Sequence, residues 1–560
     1  MSDELTSDSK YNIFFSDSDC LVRREPTYPA IVFSPTDDRW NDFIYKCRYS
    51  YSTYDSEGTL GASGEVFLGF TETSERVNKN GRVEIKGEQF CLAADLPPFF
   101  TIQGSMSDYR SFIEKNGTAN GYKLLLELND LVAIKKHNKN RSFLSRATKT
   151  KVFRLAFMRD SERFFAFNNA TSIIDGLSAE EFGSVSNQLS INFKLSGFST
   201  NHCFDVSFEL DGILPKRISV LIGSNGLGKS QTLSTIVQSL LKGDDRLTDQ
   251  NSQRPMISRI LAIETPGDTS DTFPAERVNK KIKYRRLVLN KVSRSISARG
   301  FGDLCVQLVR SEESIGGRSR WELFIDSLSF NSYFKDIVIQ LDQHIEPIAN
   351  HVFSIGGKSF IKLSDLNKGG EQAKLEIWAA ISDKAQPYRF IDDNFFPLSS
   401  GELAFLKFSS QACLFVENGT LVLLDEPETH LHPNFISEFV RLLDGILEMT
   451  GSIAVLATHS AYFVREMPRS QVLVFKEGSD NNISIQNPRL KTFGAEIGSI
   501  SYFVFEDEIT NNLVDNLTLK LPQDKTEKNR ILKTLENELS SEALMYLRRK
   551  LDISANNEKD

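Results

Sequence analysis

The most informative segment of the sequence is Val220-Leu221-Ile222-Gly223-Ser224-Asn225-Gly226-Leu227-Gly228-Lys229-Ser230. The apolar run from Ile218 to Ile222 predicts a strand, and Gln231 to Leu241 predicts a helix. Between them lies Gly-x-x-x-x-Gly-Lys-Ser, the phosphate-binding loop, in the strand–turn–helix setting that this motif requires. A chance match in a glycine-rich turn is the alternative, and the flanking strand and helix argue against it.

This loop predicts a site for ATP and Mg²⁺. Its glycines let backbone N–H groups surround a phosphate, and the helix N-terminus adds partial positive charge. We expect Lys229 to reach the β- and γ-phosphates and Ser230 to ligate Mg²⁺. The predicted nucleotide contacts in the loop are Gly223, Ser224, Asn225, Gly226, Leu227, Gly228, Lys229, Ser230 and Gln231.

A second motif follows the buried-strand pattern of Thr420 to Leu424 and ends in Asp425-Glu426. A strand of a nucleotide-binding sheet delivers such acids to the carboxyl edge, where the phosphate loop also lies. Asp425 is therefore a candidate Mg²⁺ ligand opposite Ser230, and Glu426 a candidate general base for the attacking water. The alternative is a buried strand followed by an acidic turn.

A third motif, Leu398-Ser399-Ser400-Gly401-Glu402, precedes a predicted helix from Leu403 to Phe415. A serine–glycine turn that opens a helix is a second device for binding an anion. Because one triphosphate rarely needs two such devices from one subunit, we expect a head-to-tail dimer in which this turn covers the partner's γ-phosphate. An ordinary helix cap is the alternative.

A fourth candidate is His459, which follows the apolar run Ile453 to Ala457 and Thr458. A histidine at the same sheet edge can sense the γ-phosphate and help to position the attacking water. The predicted catalytic residues are thus Glu426, His459 and Lys229. A lone histidine is more often structural.

Composition limits the class of protein. The chain has 560 residues, which predicts two or more domains, and a net charge of −8, which excludes a generic binder of polyanions. The N-terminus does not resemble a signal peptide, and no run of about 18 apolar residues predicts a membrane span. Six scattered cysteines fit a reducing cytoplasm: Cys20, Cys47, Cys91, Cys203, Cys305 and Cys413.

Two basic islands interrupt this acidic chain. Lys135 to Arg154 holds eight Lys or Arg, Arg277 to Arg299 holds nine, and neither contains an acid. A solvated face and a contact with a phosphate backbone both remain open for each island. The candidate nucleic-acid residues are Lys135, Lys136, Arg141, Lys280, Lys281, Lys283, Arg285 and Arg286.

We predict an α/β protein built on an ABC-type ATPase head, a mixed sheet with the phosphate loop. Residues 1–187 form an N-terminal mixed α/β domain of open role, and 188–480 form the ATPase core. An insertion at about 301–392 is expected to be largely helical, with Ile337 to Ile345 and Gln372 to Ile381 as its clearest pieces. Residues 481–560 form a mainly helical tail, a candidate for partner binding.

The order of these motifs resembles that of ABC-type ATPases. The run Asp425-Glu426-Pro427-Glu428-Thr429-His430-Leu431-His432-Pro433, with Thr458-His459-Ser460, is similar to the soluble branch that includes RecF-like repair ATPases, OLD-family nucleases and bacterial defence ATPases. With Asp38 to Phe43 and Thr492 to Gly498, the chain resembles the PtuA-type ATPase subunit of Septu and retron-associated antiphage systems. This resemblance implies a separate HNH nuclease and, in retron versions, a reverse transcriptase with its RNA–DNA hybrid.

Two features depart from the family pattern. Ser400 and Glu402 stand where transporters usually have Gly and Gln, as is common in the soluble branch. After the predicted strand Ile257 to Ile263, Glu264 to Asp268 takes the place of the usual Q-loop glutamine. No Asp-x-Asp follows Ser479 and no HNH constellation is present, so we expect no nuclease in this chain.

Three functions therefore compete. The first is a defence ATPase that controls a partner nuclease through an ATP-dependent dimer. The second is a stand-alone DNA-repair or DNA-clamping ATPase of the RecF-like kind, and the third is a nucleotide-dependent scaffold that does not hydrolyse ATP.

Overall fold

A computed structural model describes most of the chain. The described residues are 11–16, 27–36, 45–85, 90–138, 140–176, 185–195, 197–209, 212–264, 272–276, 281–288, 300–311, 313–315, 317–329, 334–342, 351–382, 385–478, 482–505, 516–520, 530–531, 534–535, 538–540, 543–545 and 547–548. Several predictions fall outside them: the segment Asp38 to Phe43, Lys280, most of the second basic island, and most of the predicted C-terminal helices.

The N-terminal region combines a six-stranded sheet with a group of helices. Its strands, in the order β5-β1-β2-β3-β4-β6, close over an aromatic core that includes Phe15, Phe33 and Phe100. Strand β3 shows how the sequence builds this core: Tyr49, Tyr51 and Thr53 are buried on one face and alternate with less buried residues on the other. The elements are β1 Asn12–Ser16, β2 Ala30–Pro35, β3 Arg48–Tyr54, β4 Leu60–Phe70, β5 Phe90–Leu92, β6 Phe99–Ile102, α1 Met106–Asn116, α2 Thr118–Glu127, α3 Leu131–His137, α4 Arg141–Lys149, a π-helix Phe153–Phe157, α5 Ser161–Asn169 and α6 Thr171–Ile174.

The next segment carries the phosphate loop. Strands β7 and β8 pair as a hairpin, as their alternating pattern predicts, and β10 adds to β7. The elements are β7 Gln188–Phe193, β8 His202–Ser207, β9 Ile218–Gly223, α7 Lys229–Lys242, β10 Leu247–Asp249, β11 Arg259–Glu264 and β12 Lys283–Val288.

The insertion is not largely helical, which corrects the sequence prediction. It holds a five-stranded antiparallel sheet, in the order β16-β17-β15-β18-β19, between three helices. Ile337 to Leu341 is a strand. A short, mainly apolar segment is compatible with either a strand or a helix, and the β-branched residues of this one favour the strand. The elements are α8 Phe301–Arg310, β13 Ser314–Ile315, β14 Arg318–Ser319, α9 Arg320–Ser329, β15 Ile337–Leu341, β16 Val352–Ile355, β17 Lys358–Lys362, α10 Glu371–Ala379, β18 Pro387–Ile391 and β19 Asn394–Pro397.

The remaining elements complete the nucleotide-binding sheet and extend beyond it. They are α11 Ser400–Phe415, β20 Thr420–Asp425, α12 Pro433–Thr450, β21 Ile453–Thr458, α13 Ala461–Arg465, β22 Val472–Glu477, β23 Ile483–Gln486 and α14 Ile497–Phe505. None of the described helices is long and apolar enough to cross a membrane.

A seven-stranded sheet places the predicted motifs together. Its order is β12-β11-β20-β21-β9-β22-β23, with all neighbours parallel except the edge pair of β22 and β23. Strands β9, β20 and β21 are buried along their whole length, and alternate residues of β20 enter separate hydrophobic cores. This covering of both faces explains their uninterrupted apolar sequences. It also brings the phosphate loop, Asp425 and His459 to one edge.

Candidate functional site

The phosphate loop joins β9 to α7 through a tight glycine turn. Gly226 and Gly228 have φ angles of 83° and 85°, in the left-handed region that favours glycine. A Cβ on Gly228 would also lie 2.3 Å from Leu195 Cδ1, so this position admits no side chain without rearrangement. The glycines therefore let the backbone N–H groups of the loop and the N-terminus of α7 point towards a bound phosphate.

Lys229 is held at the start of α7. Its side chain is buried, and Nζ donates to the carbonyl oxygens of Gly223 and Ser224, both at 2.9 Å. Burial lowers the pKa of Lys229 to about 8, against the opposing effect of the nearby carboxylates of Glu426 and Asp425. The ammonium group is thus held inside the loop by two backbone carbonyl groups, in the place where a triphosphate would bind.

Asp425 ends strand β20 and meets two hydroxyl groups. Ser230 Oγ donates to Oδ1 at 2.9 Å, and Thr272 Oγ1 donates to Oδ2 at 2.6 Å. Burial raises the pKa of Asp425, with these hydrogen bonds acting against it. A buried carboxylate beside a hydroxyl matches the oxygen ligands that Mg²⁺ prefers, so Ser230 and Asp425 fit the predicted metal role. Bound there, Mg²⁺ would neutralise phosphate charge.

Glu426 lies one residue beyond the strand with its side chain partly exposed. Its φ of 47° is left-handed, a strained conformation for a non-glycine residue, and its N–H donates to Ala457 O at 2.9 Å. His459 Nε2 lies 3.4 Å from Glu426 Oε1. The hydrogen bond with His459 lowers the pKa of Glu426, which keeps this carboxylate ionised and able to accept a proton.

Glu428 positions His459, a role that the sequence analysis missed. Its Oε1 accepts from Thr458 Oγ1 at 2.6 Å and from the backbone N–H of His459 at 2.7 Å. Burial raises the pKa of Glu428. The only sequence signal was a third acid in Asp425-Glu426-Pro427-Glu428, which does not specify this contact.

Glu264 and Thr272 occupy the region where no Q-loop glutamine was found. Glu264 is buried and aligned with Asp425 across the β11–β20 pair. Its Oε2 accepts from the N–H groups of Thr272 and Phe273 at 3.1 and 3.2 Å, and its other oxygen pairs with Arg286. Glu264 therefore holds Thr272 against Asp425. No sequence motif marks Thr272.

The serine–glycine turn, Ser399 to Gly401, caps its own helix. Ser399 Oγ accepts from the N–H of Glu402 at 3.3 Å, and Glu402 Oε2 accepts from the N–H of Ser399 at 2.8 Å. This capping box confirms the helix-cap interpretation of the local structure. Ser399 and Ser400 remain exposed, whereas Gly401 and Glu402 are buried.

Glu402 also pairs with Arg389 of β18. Burial acts to raise the pKa of Glu402, but hydrogen bonds with Ser399 and the pair with Arg389 outweigh it and lower this pKa. The turn is thus fixed to the insertion sheet as well as to α11.

The second basic island makes contacts within the chain. Arg286 pairs with buried Glu264, and Lys283 Nζ lies 2.7 Å from Glu162 Oε2. Lys281 donates to Lys242 O, and the Arg285 guanidinium lies 3.8 Å from the centre of the Phe415 ring. These four cations therefore join elements of the fold to one another.

The first island divides into two groups. Lys136 pairs with Asp175 and lies over the Tyr122 ring, and Lys135 lies over the Phe167 ring. Arg141, in contrast, is exposed, and its Nε donates to Asn138 Oδ1 at 2.8 Å.

The sheet, the phosphate loop and the acids at its edge match the arrangement of ATPases of the ABC/AAA kind. A family model described as "AAA domain, putative AbiEii toxin, Type IV TA system" matches residues 381–465. That range contains the serine–glycine turn, Asp425, Glu426 and His459, and the phosphate loop lies upstream of it.

Known proteins similar to this chain include a phage protein. Protein ea59 of Escherichia phage lambda is 24% identical over 538 residues, which cover 91% of this chain and 93% of that protein. The SMC head domain from Thermotoga maritima is 14% identical, with a TM-score of 0.26, and covers 55% of this chain and 100% of that one. UvrA2 from Deinococcus radiodurans is 13% identical, with a TM-score of 0.28, and covers 57% of this chain and 40% of that one.

Proposed function

We propose that this chain is the ATP-hydrolysing subunit of an antiphage defence complex. ATP would close a head-to-tail dimer of the chain, and opening of that dimer would control a separate nuclease of the HNH type. The observation that carries the proposal is the pairing of a hydrolysis site at one sheet edge with an exposed serine–glycine turn on the same subunit.

The ATPase step follows from the arrangement of the chain's own residues. Lys229 and the loop N–H groups would bind the β- and γ-phosphates, and Ser230 with Asp425 would hold Mg²⁺. Glu426 would take a proton from the attacking water, and His459 would orient that carboxylate. Glu428 would keep His459 in place by accepting a hydrogen bond from the backbone N–H of His459.

The dimer is supported by the exposure of Ser399 and Ser400 at the start of α11. Ser399 forms its hydrogen bonds with its own helix, so the conformation of the turn does not depend on a bound nucleotide. A helix N-terminus with exposed hydroxyls suits the γ-phosphate of a second copy. In a two-fold dimer, each of two equivalent sites would take its loop from one subunit and its turn from the other.

The defence role is supported by similarity. The matching family model is named for a putative toxin of a Type IV TA system, and the Asp425-to-Pro433 run resembles bacterial defence ATPases. The partner nuclease is implied by the further resemblance of the chain to the PtuA-type ATPase subunit of Septu and retron-associated systems.

A phage-challenge experiment tests this function. Cells carrying the gene with its flanking genes would be compared with cells carrying this gene alone, the Lys229→Ala variant, or the Glu426→Gln variant. We expect protection only from the complete set with an intact site, and Glu448→Gln, on the exposed end of α12, should protect normally.

The purified chain provides the complementary assay. We expect Mg²⁺-dependent ATP hydrolysis and no cleavage of DNA or RNA until the neighbouring nuclease is added. Cleavage by the chain alone would contradict the proposal, and hydrolysis that responds to DNA without any partner would favour a stand-alone DNA-clamping ATPase.

A further inference from the structure

We propose that the outer face of α4 and the segment after it bind the phosphate backbone of a nucleic-acid double helix. We call this surface the basic ridge; its cations are Arg141, Arg146, Lys149, Lys151 and Arg154. It lies in the N-terminal region and uses no residue of the ATPase site.

The helix geometry puts three of these cations on one face. Arg141, Arg146 and Lys149 are exposed on α4, whereas Phe143 and Ala147 are buried on the opposite side. Arg146 and Lys149 are three residues apart and are therefore neighbours on the helix surface, and Arg141, five residues before Arg146, lies at the start of the same exposed side. The exposed hydroxyls of Ser142 and Ser145 lie among the cations, and both Arg/Lys and Ser/Thr side chains are common phosphate ligands.

The following segment extends the same surface. Lys151 and Arg154 are exposed, while Phe153, Ala156 and Phe157 of the π-helix are buried. Arg154 Nη2 donates to the carbonyl oxygen of Lys149 at 2.7 Å, which fixes the guanidinium beside the end of α4. Arg154 is thereby joined to the end of α4, and all five cations are exposed.

The ridge differs from the second basic island in how its charges are used. Among the described residues, no carboxylate forms an ion pair with any of the five ridge cations, and the sequence from Lys135 to Arg159 contains no acid. The described cations of the second island are held by contacts within the fold. The ridge thus presents uncompensated positive charge on a protein whose net charge is −8.

The surface favours a duplex over other anionic partners. The only large hydrophobic side chain of this segment that is exposed is Leu155, among the described residues, so little apolar area is offered to a membrane or a peptide anchor. The aromatic rings of Phe143, Phe153 and Phe157 are buried and cannot stack on the bases of a single strand. What remains is a group of exposed cations and hydroxyls that can bind phosphate.

Fluorescence anisotropy with a labelled 24-base-pair DNA duplex tests the ridge. We expect the logarithm of affinity to fall with the logarithm of salt concentration with a slope of about −4, since each neutralised phosphate contributes about −0.9. The triple variant Arg141→Gln, Arg146→Gln, Lys149→Gln should bind at least about tenfold more weakly and have a slope smaller by about 2 to 3.

A charge-matched triple variant, Lys358→Gln, Lys362→Gln, Lys368→Gln, is the control, because it removes three exposed lysines from the insertion. It should keep the wild-type slope. An equal loss in both triples, an unchanged slope in the ridge variant, tighter binding of the single strand than of the duplex, or no duplex binding by the wild type would each overturn the proposal. Basal ATP hydrolysis and melting temperature should stay at wild-type values in both triples, so this test is independent of the ATPase site.

Discussion

At the scale of single residues, the site depends on how three carboxylates of one acidic segment are given different surroundings. Asp425 is buried against hydroxyl groups, Glu426 faces His459 at the surface, and Glu428 accepts backbone and hydroxyl hydrogens. Burial raises the pKa of Asp425 and Glu428, whereas the histidine contact lowers that of Glu426. Their different surroundings suit the three carboxylates to three different roles, which we propose are metal ligand, proton acceptor and support.

Glu426→Gln should abolish hydrolysis without abolishing nucleotide binding. The amide keeps the shape of the side chain but cannot accept the proton from water, and general-base catalysis is worth about 10²- to 10⁴-fold. Steady-state ATPase assays and binding of a fluorescent ATP analogue measure the two effects separately. Glu448→Gln is the control, and an ATPase rate within twofold of wild type for Glu426→Gln would show that another group is the base.

Nucleotide binding should weaken as the pH rises above about 8. Phosphate binding requires the Lys229 ammonium, whose pKa is about 8 in the free protein, so affinity should fall about tenfold from pH 7.5 to 9.0. Lys229→Arg should bind more weakly but with little pH dependence, because guanidinium stays charged. Lys242→Arg, at the exposed end of α7, should keep the wild-type profile; a flat wild-type profile would contradict this account.

The same pKa shift has a stability consequence of defined sign. Between about pH 8 and 10.5 the unfolded chain retains the lysine proton that the folded chain has lost. Stability therefore rises with pH through that window for this group, and the cost of burying the charged lysine is fully present below pH 8.

At the scale of elements, the nucleotide-binding strands were predictable and the insertion was not. β9, β20 and β21 could be predicted because each is a nearly continuous apolar run followed by a functional motif. These motifs are the phosphate loop, Asp425-Glu426 and His459. β15 is a five-residue segment with four apolar residues and Gln340, a pattern that a buried helix can also show, and it is a strand in the structure through its pairing with β17 and β18.

The candidate site shows the same division. Lys229, Ser230, Asp425 and Glu426 belong to motifs with fixed spacing, so their meeting at one edge followed from the strand order. Thr272 reaches Asp425 only because Glu264 holds its backbone, a tertiary contact that leaves no pattern in the sequence.

A buried ionic cluster at the start of β20 joins three parts of the chain: α1, α9 and the residues between α11 and β20. Arg320 of α9 is fully buried and pairs with Glu417, which precedes β20. Arg110 of α1 lies 3.5 Å from the other oxygen of Glu417. Arg320 also donates to the carbonyl oxygens of Cys413 and Val416, so it supplies hydrogen-bond donors to carbonyl groups at the C-terminal end of α11.

Arg320→Met should destabilise the protein by about 3–5 kcal/mol, because it leaves a buried carboxylate without its main partner. Arg318→Met is the matched control two residues away, since the Arg318–Asp326 pair is more than half exposed and worth about 0–1 kcal/mol. Denaturant unfolding of both variants measures the difference. Equal losses would mean that the cluster does not hold the three parts together.

At the scale of the whole molecule, we propose that one subunit carries halves of two different sites. The phosphate loop, Asp425 and Glu426 form a hydrolysis site, and the serine–glycine turn opens a helix whose exposed end would serve another copy. Ser400→Glu is suited to test this, because an acid is compatible with the first turn of a helix but repels a γ-phosphate.

Mixing two inactive variants shows whether the site is shared between subunits. Lys229→Ala and Ser400→Glu should each be inactive, yet a 1:1 mixture forms heterodimers with one intact composite site. Its ATPase rate should recover to about a quarter of wild type for random two-fold dimers. Lys229→Ala mixed with Glu426→Gln has no intact site and should stay inactive. An absence of recovery in the first mixture, or full activity of Ser400→Glu alone, would contradict the shared site.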